Sequence, residues 1–373
     1  MKFYRKLQQN NRFKKSKCIL FDQITFYCYI RLTMNSTEIT ELKDLLSTPK
    51  NIVIIPHKNP DGDAMGSTLA LKHYLNNTHS NVTVITPNDY PTFLKWLPAN
   101  EKVIIYENNQ TEANNLISNA DIIFTLDFNH LSRCGNLETP LTEATQATFV
   151  MIDHHQQPDT YAKYMYSDTS ICSTCQMVFH FIEKMNDTHL IDANIASCLY
   201  TGIVTDTGSF RYRSTTSETH RVIAQLIDAG ANNSKIHENI YDTNTISKLQ
   251  LKGVALNNLN VLTEYKTAYI SLSQKELNDN NFKKGDTEGF VNIGLSLKGI
   301  KFAVIFIENE AEGIIKMSFR SKGDFSVNQF ARKHYQGGGH DNASGGKSDL
   351  PLNETINNFL SLLPKYQNEL NNL

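Results

Sequence analysis

The apolar run Thr148-Phe149-Val150-Met151-Ile152 leads directly into Asp153-His154-His155, placing three ionisable side chains where a buried β-strand would leave its sheet. Three other segments of the first 210 residues repeat the arrangement. Asn51-Ile52-Val53-Ile54-Ile55-Pro56 runs into His57, Asp61 and Asp63; Asp121-Ile122-Ile123-Phe124-Thr125-Leu126 runs into Asp127; Leu199 to Thr205 runs into Asp206. One acid after a strand carries little information. Four apolar segments that all end on His and Asp require a fold that gathers their ends, and the donors gathered there suit a metal.

Strand candidates at 52–56, 82–86, 102–106, 121–126 and 148–152 alternate with helical stretches at Ala64–Leu75, Thr169–Met185, Asp192–Val204 and Glu218–Ala229. Short, uninterrupted Val/Ile/Phe runs are the mark of strands covered on both faces. The alternation predicts an α/β domain with a mainly parallel sheet over residues 34–230, and ligands of such sheets bind outside the carboxyl ends of the strands. Gly230-Ala231-Asn232-Asn233 stops the last helix, and a polar helical linker follows over 231–258. A smaller α/β block occupies 259–373, with strands at 267–272, 301–307 and 313–320. Its helices are expected at 288–297, 326–334 and Glu354–Leu370, with Gly337-Gly338-Gly339 after the second of them.

A chain of 373 residues is long enough for two cores of this kind. A formal net charge of −2, with 20% charged residues, gives no basic field of the sort that drives nonspecific duplex binding. Any nucleotide contact must therefore come from a local patch or from metal ions. No apolar run approaches the roughly 18–20 residues that cross a bilayer. Residues 1–33 are basic and then moderately apolar, without a signal-peptide pattern, whereas Asn35-Ser36-Thr37-Glu38 reads as an ordinary helix start. Residues 1–33 are thus expected to be an upstream extension of a protein that starts at Met34; the rival is a short basic membrane-surface anchor. Cys172 and Cys175 form a CxxC without a second pair at zinc-ribbon spacing, and are expected as buried thiols sharing a helix face.

In His57-Lys58-Asn59-Pro60-Asp61-Gly62-Asp63, the proline and glycine tighten the turn and cluster the His and both carboxylates. The plainer alternative is a turn that caps the helix from Ala64, where an acid also suits the helix dipole. The three further centres favour a metal cluster. Asp61, Asp63, Asp127, Asp206, His57 and His154 supply six side-chain donors, with Asp153 and His155 beside them. Two divalent ions roughly 3.5–4 Å apart would use them all. Imidazole and carboxylate without thiolate favour ions of the Mn²⁺ or Mg²⁺ type. Such a pair clamps a phosphate and activates water near neutral pH, so the residues point to phosphoester hydrolysis.

These same residues resemble the four motifs of the DHH phosphoesterase family: His57-x3-Asp61-x-Asp63, Asp127, Asp153-His154-His155 and Asp206. Gly337-Gly338-Gly339-His340, preceded by Ser318-Phe319-Arg320-Ser321, resembles the family's smaller associated domain. The likeness spans residues 34–365 and matches the nanoRNase/pAp phosphatase branch. It implies a cytoplasmic, manganese-dependent enzyme that degrades RNAs of about two to five nucleotides and dephosphorylates adenosine 3′,5′-bisphosphate. By that resemblance His57, Asp61 and Asp127 hold one ion, and Asp63, Asp127, His154 and Asp206 the other. Asp127 bridges, Asp153 orients the histidines, and His155 contacts the scissile phosphate.

Arg320 offers a donor fork suited to phosphate, with Ser321 beside it. The N–H groups of Gly337–Gly339 can make an anion-binding concavity, and His340 can donate to the same phosphate. The plainer alternative for the glycines is a flexible loop. Tyr335-Gln336 and Ala343-Ser344-Gly345 depart from the Phe-Gly and Ala-Ala-Gly of many relatives, which leaves the base-recognition side less defined. A terminal phosphate held at a fixed distance from the metals would select short strands. Other readings remain: a phosphodiesterase of linear or cyclic dinucleotides such as pApA, pGpG or cyclic di-AMP, a polyphosphate or pyrophosphate hydrolase, or a non-catalytic nucleotide-binding protein. Short single-stranded RNA or small nucleotides are the expected partners, without a membrane, and a homodimer is compatible with the sequence.

Overall fold

The structure, a computed structural model, describes residues 34–77 and 81–372. The expectation for residues 1–33 lies outside the described residues. The N-terminal domain runs α1 (Ser36–Leu46), β1 (Asn51–Pro56), α2 (Gly62–Asn76), β2 (Asn81–Thr86), β3 (Ile104–Ile105), α3 (Gln110–Ser118), β4 (Ile122–Leu126), α4 (Glu138–Glu143), β5 (Thr148–Asp153) and β6 (Tyr164–Ser167). Helices α5 (Thr174–Lys184), α6 (Ala193–Asp206), α7 (Ser217–Asp228), α8 (Asn233–Tyr241) and α9 (Ile246–Asn257) follow. The six strands form one sheet in the order β3-β2-β1-β4-β5-β6, with every neighbouring pair parallel.

That order positions the site. The chain builds outward from β1 to β3, then returns to the other side of β1 and builds outward again from β4 to β6. The loops after β1 and β4 therefore leave in opposite directions, which opens a crevice at the carboxyl ends of these two central strands. His57 follows β1 and Asp127 follows β4, one on each side of the crevice. Ile54, Ile55, Ile123 and Phe124 are fully buried, as continuous apolar runs in a doubly covered sheet must be. One face packs on α1, α2, α5 and α6 through Leu42, Leu69, Phe181 and Leu199; the other packs on α3 and α4 through Ile117 and Leu141.

The C-terminal domain contains β7 (Asn260–Leu262), β8 (Thr267–Leu272), α10 (Gln274–Asp279), α11 (Val291–Leu295), β9 (Phe302–Asn309), β10 (Ile314–Ser321), α12 (Val327–His334), β11 (Gly338–His340), β12 (Ala343–Ser348) and α13 (Leu352–Asn371). Its sheet has the order β11-β12-β10-β9-β8-β7; β8 and β9 are parallel and the other pairs antiparallel. A cluster of Phe302, Phe319, Phe330 and Phe359 fills the space between this sheet, α12 and α13.

The helix expected over Asp192–Val204 is present as α6, with Asp206 its last residue; Leu199 to Thr205 is apolar because a central helix buries that stretch. Two features differ from the sequence expectation. Helix α5 starts at Thr174 because Ser173 caps it, its Oγ accepting from the Gln176 N–H, so Cys172 lies outside the helix; both Cys172 and Cys175 are buried and free. Gly337–Gly339 is no flexible loop. Gly338–His340 forms strand β11, paired with β12, and the Gly337 N–H donates to the Ala331 carbonyl. A Cβ at Gly337 would lie 2.0 Å from the Gly345 carbonyl oxygen, so glycine serves close backbone approach here.

Candidate metal centre between the two domains

Two close helices bring Asp206 to the loop after β1. In the contact of α2 with α6, a Cβ on Gly66 would lie 2.5 Å from the Cys198 carbonyl oxygen. One on Gly202 would lie 2.1 Å from Cys175 Sγ and 2.7 Å from Asp63 Oδ1. Without side chains at these positions the helix backbones meet, and the end of α6 reaches the start of α2. Asp61 Oδ1 accepts from the N–H groups of Asp63 and Ala64, both at 3.1 Å. The helix-capping alternative for this carboxylate is thus realised, and it coexists with the cluster: the capping oxygen Oδ1 also lies 4.0 Å from His57 Nε2.

Asp127 bends the chain at the end of β4 with φ 65°, a left-handed conformation that costs a non-glycine residue about 1 kcal/mol. Such conformations persist where the surroundings over-determine them, often at functional sites. Asp127 Oδ2 lies 3.4 Å from His57 Nε2, and Oδ1 lies 3.5 Å from His154 Nε2. One carboxylate therefore faces two histidines on opposite sides. His154 Nε2 also lies 3.7 Å from Asp63 Oδ2 and 3.6 Å from Asp206 Oδ2. The sets His57-Asp61-Asp127 and Asp63-His154-Asp206 each offer ligand atoms within 4.8 Å of one another. This is a donor set that fits divalent ions of oxygen and imidazole preference.

The histidines are held by their other nitrogens. His57 Nδ1 is 2.8 Å from the Lys58 carbonyl and His154 Nδ1 is 3.2 Å from the Ile171 carbonyl, an arrangement that protonates Nδ1 and leaves Nε2 to face the carboxylates. Asp153 is fully buried and devotes both oxygens to His155: Oδ1 to its Nδ1 at 2.6 Å, Oδ2 to its backbone N–H at 2.9 Å. Asp153 thus orients His155 alone, and a backbone carbonyl orients His154, which corrects the expectation that Asp153 orients both.

Four carboxylates at close quarters compete for charge. Burial opposes the Asp127 anion, but hydrogen bonds from His154 and His57 outweigh it and hold the group well below the usual carboxylate range. Burial raises Asp206 to about 7, with Asp61 and Asp127 adding to the effect against His154. Burial and the charges of Asp127 and Asp206 push Asp63 well up. Burial alone would lower His57, yet its bond to Asp127 and the charges of Asp61 and Asp127 raise it to about 9. The raised groups show how closely these carboxylates crowd one another.

The C-terminal domain closes over this centre. His340, expected beside a distant terminal phosphate, instead stacks on His155 with ring centroids 4.6 Å apart at 20°, and lies 4.7 Å from His154. Burial and the neighbouring His155 and His154 hold His340 well below the ordinary imidazole range, so it is neutral. Arg320 sits in the same cleft, where its charge opposes the rise in Asp206; its Nε has no partner among the described residues. Ser321 does not join it. The Ser321 hydroxyl donates to the Phe325 carbonyl at 2.6 Å and accepts from Asn342 at 2.8 Å, so it braces its own domain. Polar contacts between the domains join Gln156 to Asp341 at 3.1 Å and Lys284 to Asn59 at 2.8 Å.

Sequence reasoning missed several residues. Glu288 lies at the cleft, raised to about 7 by burial and by the charge of Asp61, with Arg320 opposing. The Asn129 side-chain amide donates to the carbonyls of His155 and Gln156, at 3.0 and 3.1 Å. Thr174 donates to Asp127 Oδ1 at 3.0 Å. Only the polar pair Asn129-His130 shortly after Asp127 could have pointed to Asn129; nothing local marks the other two.

The model of the DHH family N-terminal domain matches residues 51–203, and that of the DHHA1 domain matches residues 263–369. The chain is 28% identical over 310 residues to the bifunctional oligoribonuclease and PAP phosphatase of Bacillus subtilis, covering 82% of this chain and 92% of that protein. It is 29% identical over 332 residues to the probable bifunctional oligoribonuclease and PAP phosphatase of Streptococcus mutans, covering 87% of this chain and 100% of that one. An exopolyphosphatase-related protein from Bacteroides fragilis, solved as a crystal structure, superposes with a TM-score of 0.86 at 38% identity, covering 90% of this chain and 98% of that chain.

Proposed function

The chain belongs to the DHH family, and on that premise we propose that it is a metal-dependent hydrolase that degrades short oligoribonucleotides to mononucleotides and removes the 3′-phosphate of adenosine 3′,5′-bisphosphate to leave AMP. One observation carries the reading: the Asp127 carboxylate is shared by two donor clusters directly beneath a histidine of the other domain. His57, Asp61 and Asp127 would hold one divalent ion; Asp63, Asp127, His154 and Asp206 the other, with Mn²⁺ the ion of choice and Mg²⁺ the alternative. When bound, such a pair neutralises phosphate charge and makes water nucleophilic near neutral pH.

The protein's own residues do the rest. Asp153 fixes the His155 ring so that Nε2 is the atom left to meet the scissile phosphate. His340, neutral and stacked on His155, would share that phosphate from the opposite wall and shield it from bulk water. Arg320, on the same wall, would take a second phosphate with its planar fork. A terminal phosphate bound at that fixed distance favours a substrate of a few nucleotides.

The test is a panel of pAp, a 5′-phosphorylated dinucleotide, pGpG, cyclic di-AMP, polyphosphate and a 24-nucleotide RNA, each assayed in the same Mn²⁺ buffer. Turnover is expected for pAp and the short linear RNAs. Turnover of the 24-mer equal to that of the dinucleotide, or of polyphosphate alone, would overturn the reading.

A further inference from the structure

We propose that Thr174 is the positioning residue of this centre, using its backbone N–H on Asp63 and its hydroxyl on Asp127 to set the distance and rotation of the two carboxylates. The inference rests on the reading of these residues as metal ligands. Asp63 is 1% exposed, and its ion-pair partner among the described residues is His154, with Nε2 3.7 Å from Oδ2. Both its oxygens are met by the first turn of α5: Thr174 N–H reaches Oδ2 at 2.6 Å and Cys175 N–H reaches Oδ1 at 2.8 Å. The positive end of an eleven-residue helix thereby supports a carboxylate that Asp127 and Asp206 repel. Thr174 Oγ1 then donates to Asp127 Oδ1 at 3.0 Å. One fully buried residue thus ties together two carboxylates that belong to different strand ends and clusters.

The hydroxyl bond decides which way Asp127 faces. The two oxygens are equivalent, but rotation about the last bond would swing both of them off the histidines, and the Thr174 donor fixes the plane of the carboxylate by holding one oxygen, Oδ1. With Oδ1 held on the His154 side, Oδ2 is left on the His57 side, the orientation a bridging ligand needs. The residue type fits the task. β-Branching restricts χ1, so the hydroxyl is held on Asp127. Serine in its place would keep the donor but lose that restriction. Groups that orient metal ligands without touching the ion are worth about 10–100-fold in metal affinity.

The test compares Thr174→Ser, Thr174→Val and Thr174→Pro with the wild-type protein by calorimetric titration with Mn²⁺, with free Mn²⁺ followed by its electron paramagnetic resonance signal. Thr174→Val keeps the shape and the N–H but removes the hydroxyl; it should weaken Mn²⁺ binding by about 10–100-fold. Thr174→Ser keeps the donor but not the restriction on χ1, so its loss should be clearly smaller than that of Thr174→Val. Thr174→Pro also deletes the N–H to Asp63, and proline suits the first helical position after the extended Ser173, so it should bind Mn²⁺ more weakly than Thr174→Val. The unfolding temperature of the ion-free proteins, measured alongside, identifies a variant that merely fails to fold; Thr174→Ala then replaces it. Wild-type affinity in Thr174→Val, or equal losses in the serine and valine variants, overturns the inference while leaving the metal-site reading intact. A wild-type protein that takes up no Mn²⁺ overturns both.

Discussion

The two walls of the cleft are built on different physical terms. On the N-terminal side five of the six candidate ligands are fixed through a second contact: His57 and His154 by backbone carbonyls, Asp61 and Asp63 by helix N–H groups, Asp127 by a hydroxyl. On the C-terminal side Arg320 leaves its Nε without a partner among the described residues, and His340 meets its neighbours through ring contacts. The first wall lies at the ends of buried parallel strands, where several elements converge. The second comes from an edge hairpin of glycines and one strand end. The difference teaches that the metal side is organised before an ion arrives, whereas the substrate side depends on how the domains dock. A rigid first wall suits charge that must be held at fixed distances. A less constrained second wall suits a ligand that enters and leaves.

The contrast breaks most sharply at Asp127. Asp127→Ala removes the one carboxylate facing both histidines, and hydrolysis in the Mn²⁺ assay should fall to background while circular dichroism retains the folded spectrum; residual turnover at wild-type KM would show that the two clusters do not work as one. Arg320→Ala touches the other wall only. It should raise KM for pAp by about 10–100-fold, the equivalent of the roughly 1.5–3 kcal/mol of a charge-assisted hydrogen bond, with Mn²⁺ affinity unchanged. A loss confined to kcat would place Arg320 on the metal side of the comparison.

Protons sharpen it further. In the ion-free protein both His57, raised to about 9, and Asp206, raised to about 7, bind protons more firmly when folded. Their stabilising contribution is complete below the unfolded values, 6.5 for His57 and 3.8 for Asp206, and is lost as pH climbs through 7 and then 9. A metal must displace those protons, so its affinity should rise with pH by at most about tenfold per unit for each proton released. The gain in unfolding temperature on adding Mn²⁺ should therefore be larger at about pH 8.5 than at about pH 6.5; a gain that shrinks with pH contradicts the cluster. The smallest effect belongs to Arg213→Ala. The exposed interdomain pair Arg213–Asp324, at 2.7 Å, is worth about 0–1 kcal/mol, and the unfolding midpoint in urea should barely move.

Much of the fold was legible because local periodicity carries it. The continuous apolar runs at β1, β4 and β5 and the amphipathic helices α5 and α7 have one stable solution each. Strand β12 was not, since Ala343-Ser344-Gly345-Gly346-Lys347-Ser348 has no strand composition and pairs with β10 through backbone groups alone. Ser321 looked like a phosphate ligand from its place beside Arg320, yet Phe325 and Asn342 claim its hydroxyl.

The sequence by itself determined the chemistry of this protein: six His and Asp donors at the ends of apolar segments, without thiolate, beside a glycine-histidine loop. Tertiary structure alone decided how those donors act. It gave Asp153 to His155 and a backbone carbonyl to His154, brought His340 onto the metal side, and set Thr174 between Asp63 and Asp127. The reason is physical. Side-chain identity and spacing are written in the chain, but the backbone N–H and C=O groups that orient these ligands are the same in nearly every residue. Which ligand each of them faces is settled only when distant segments pack.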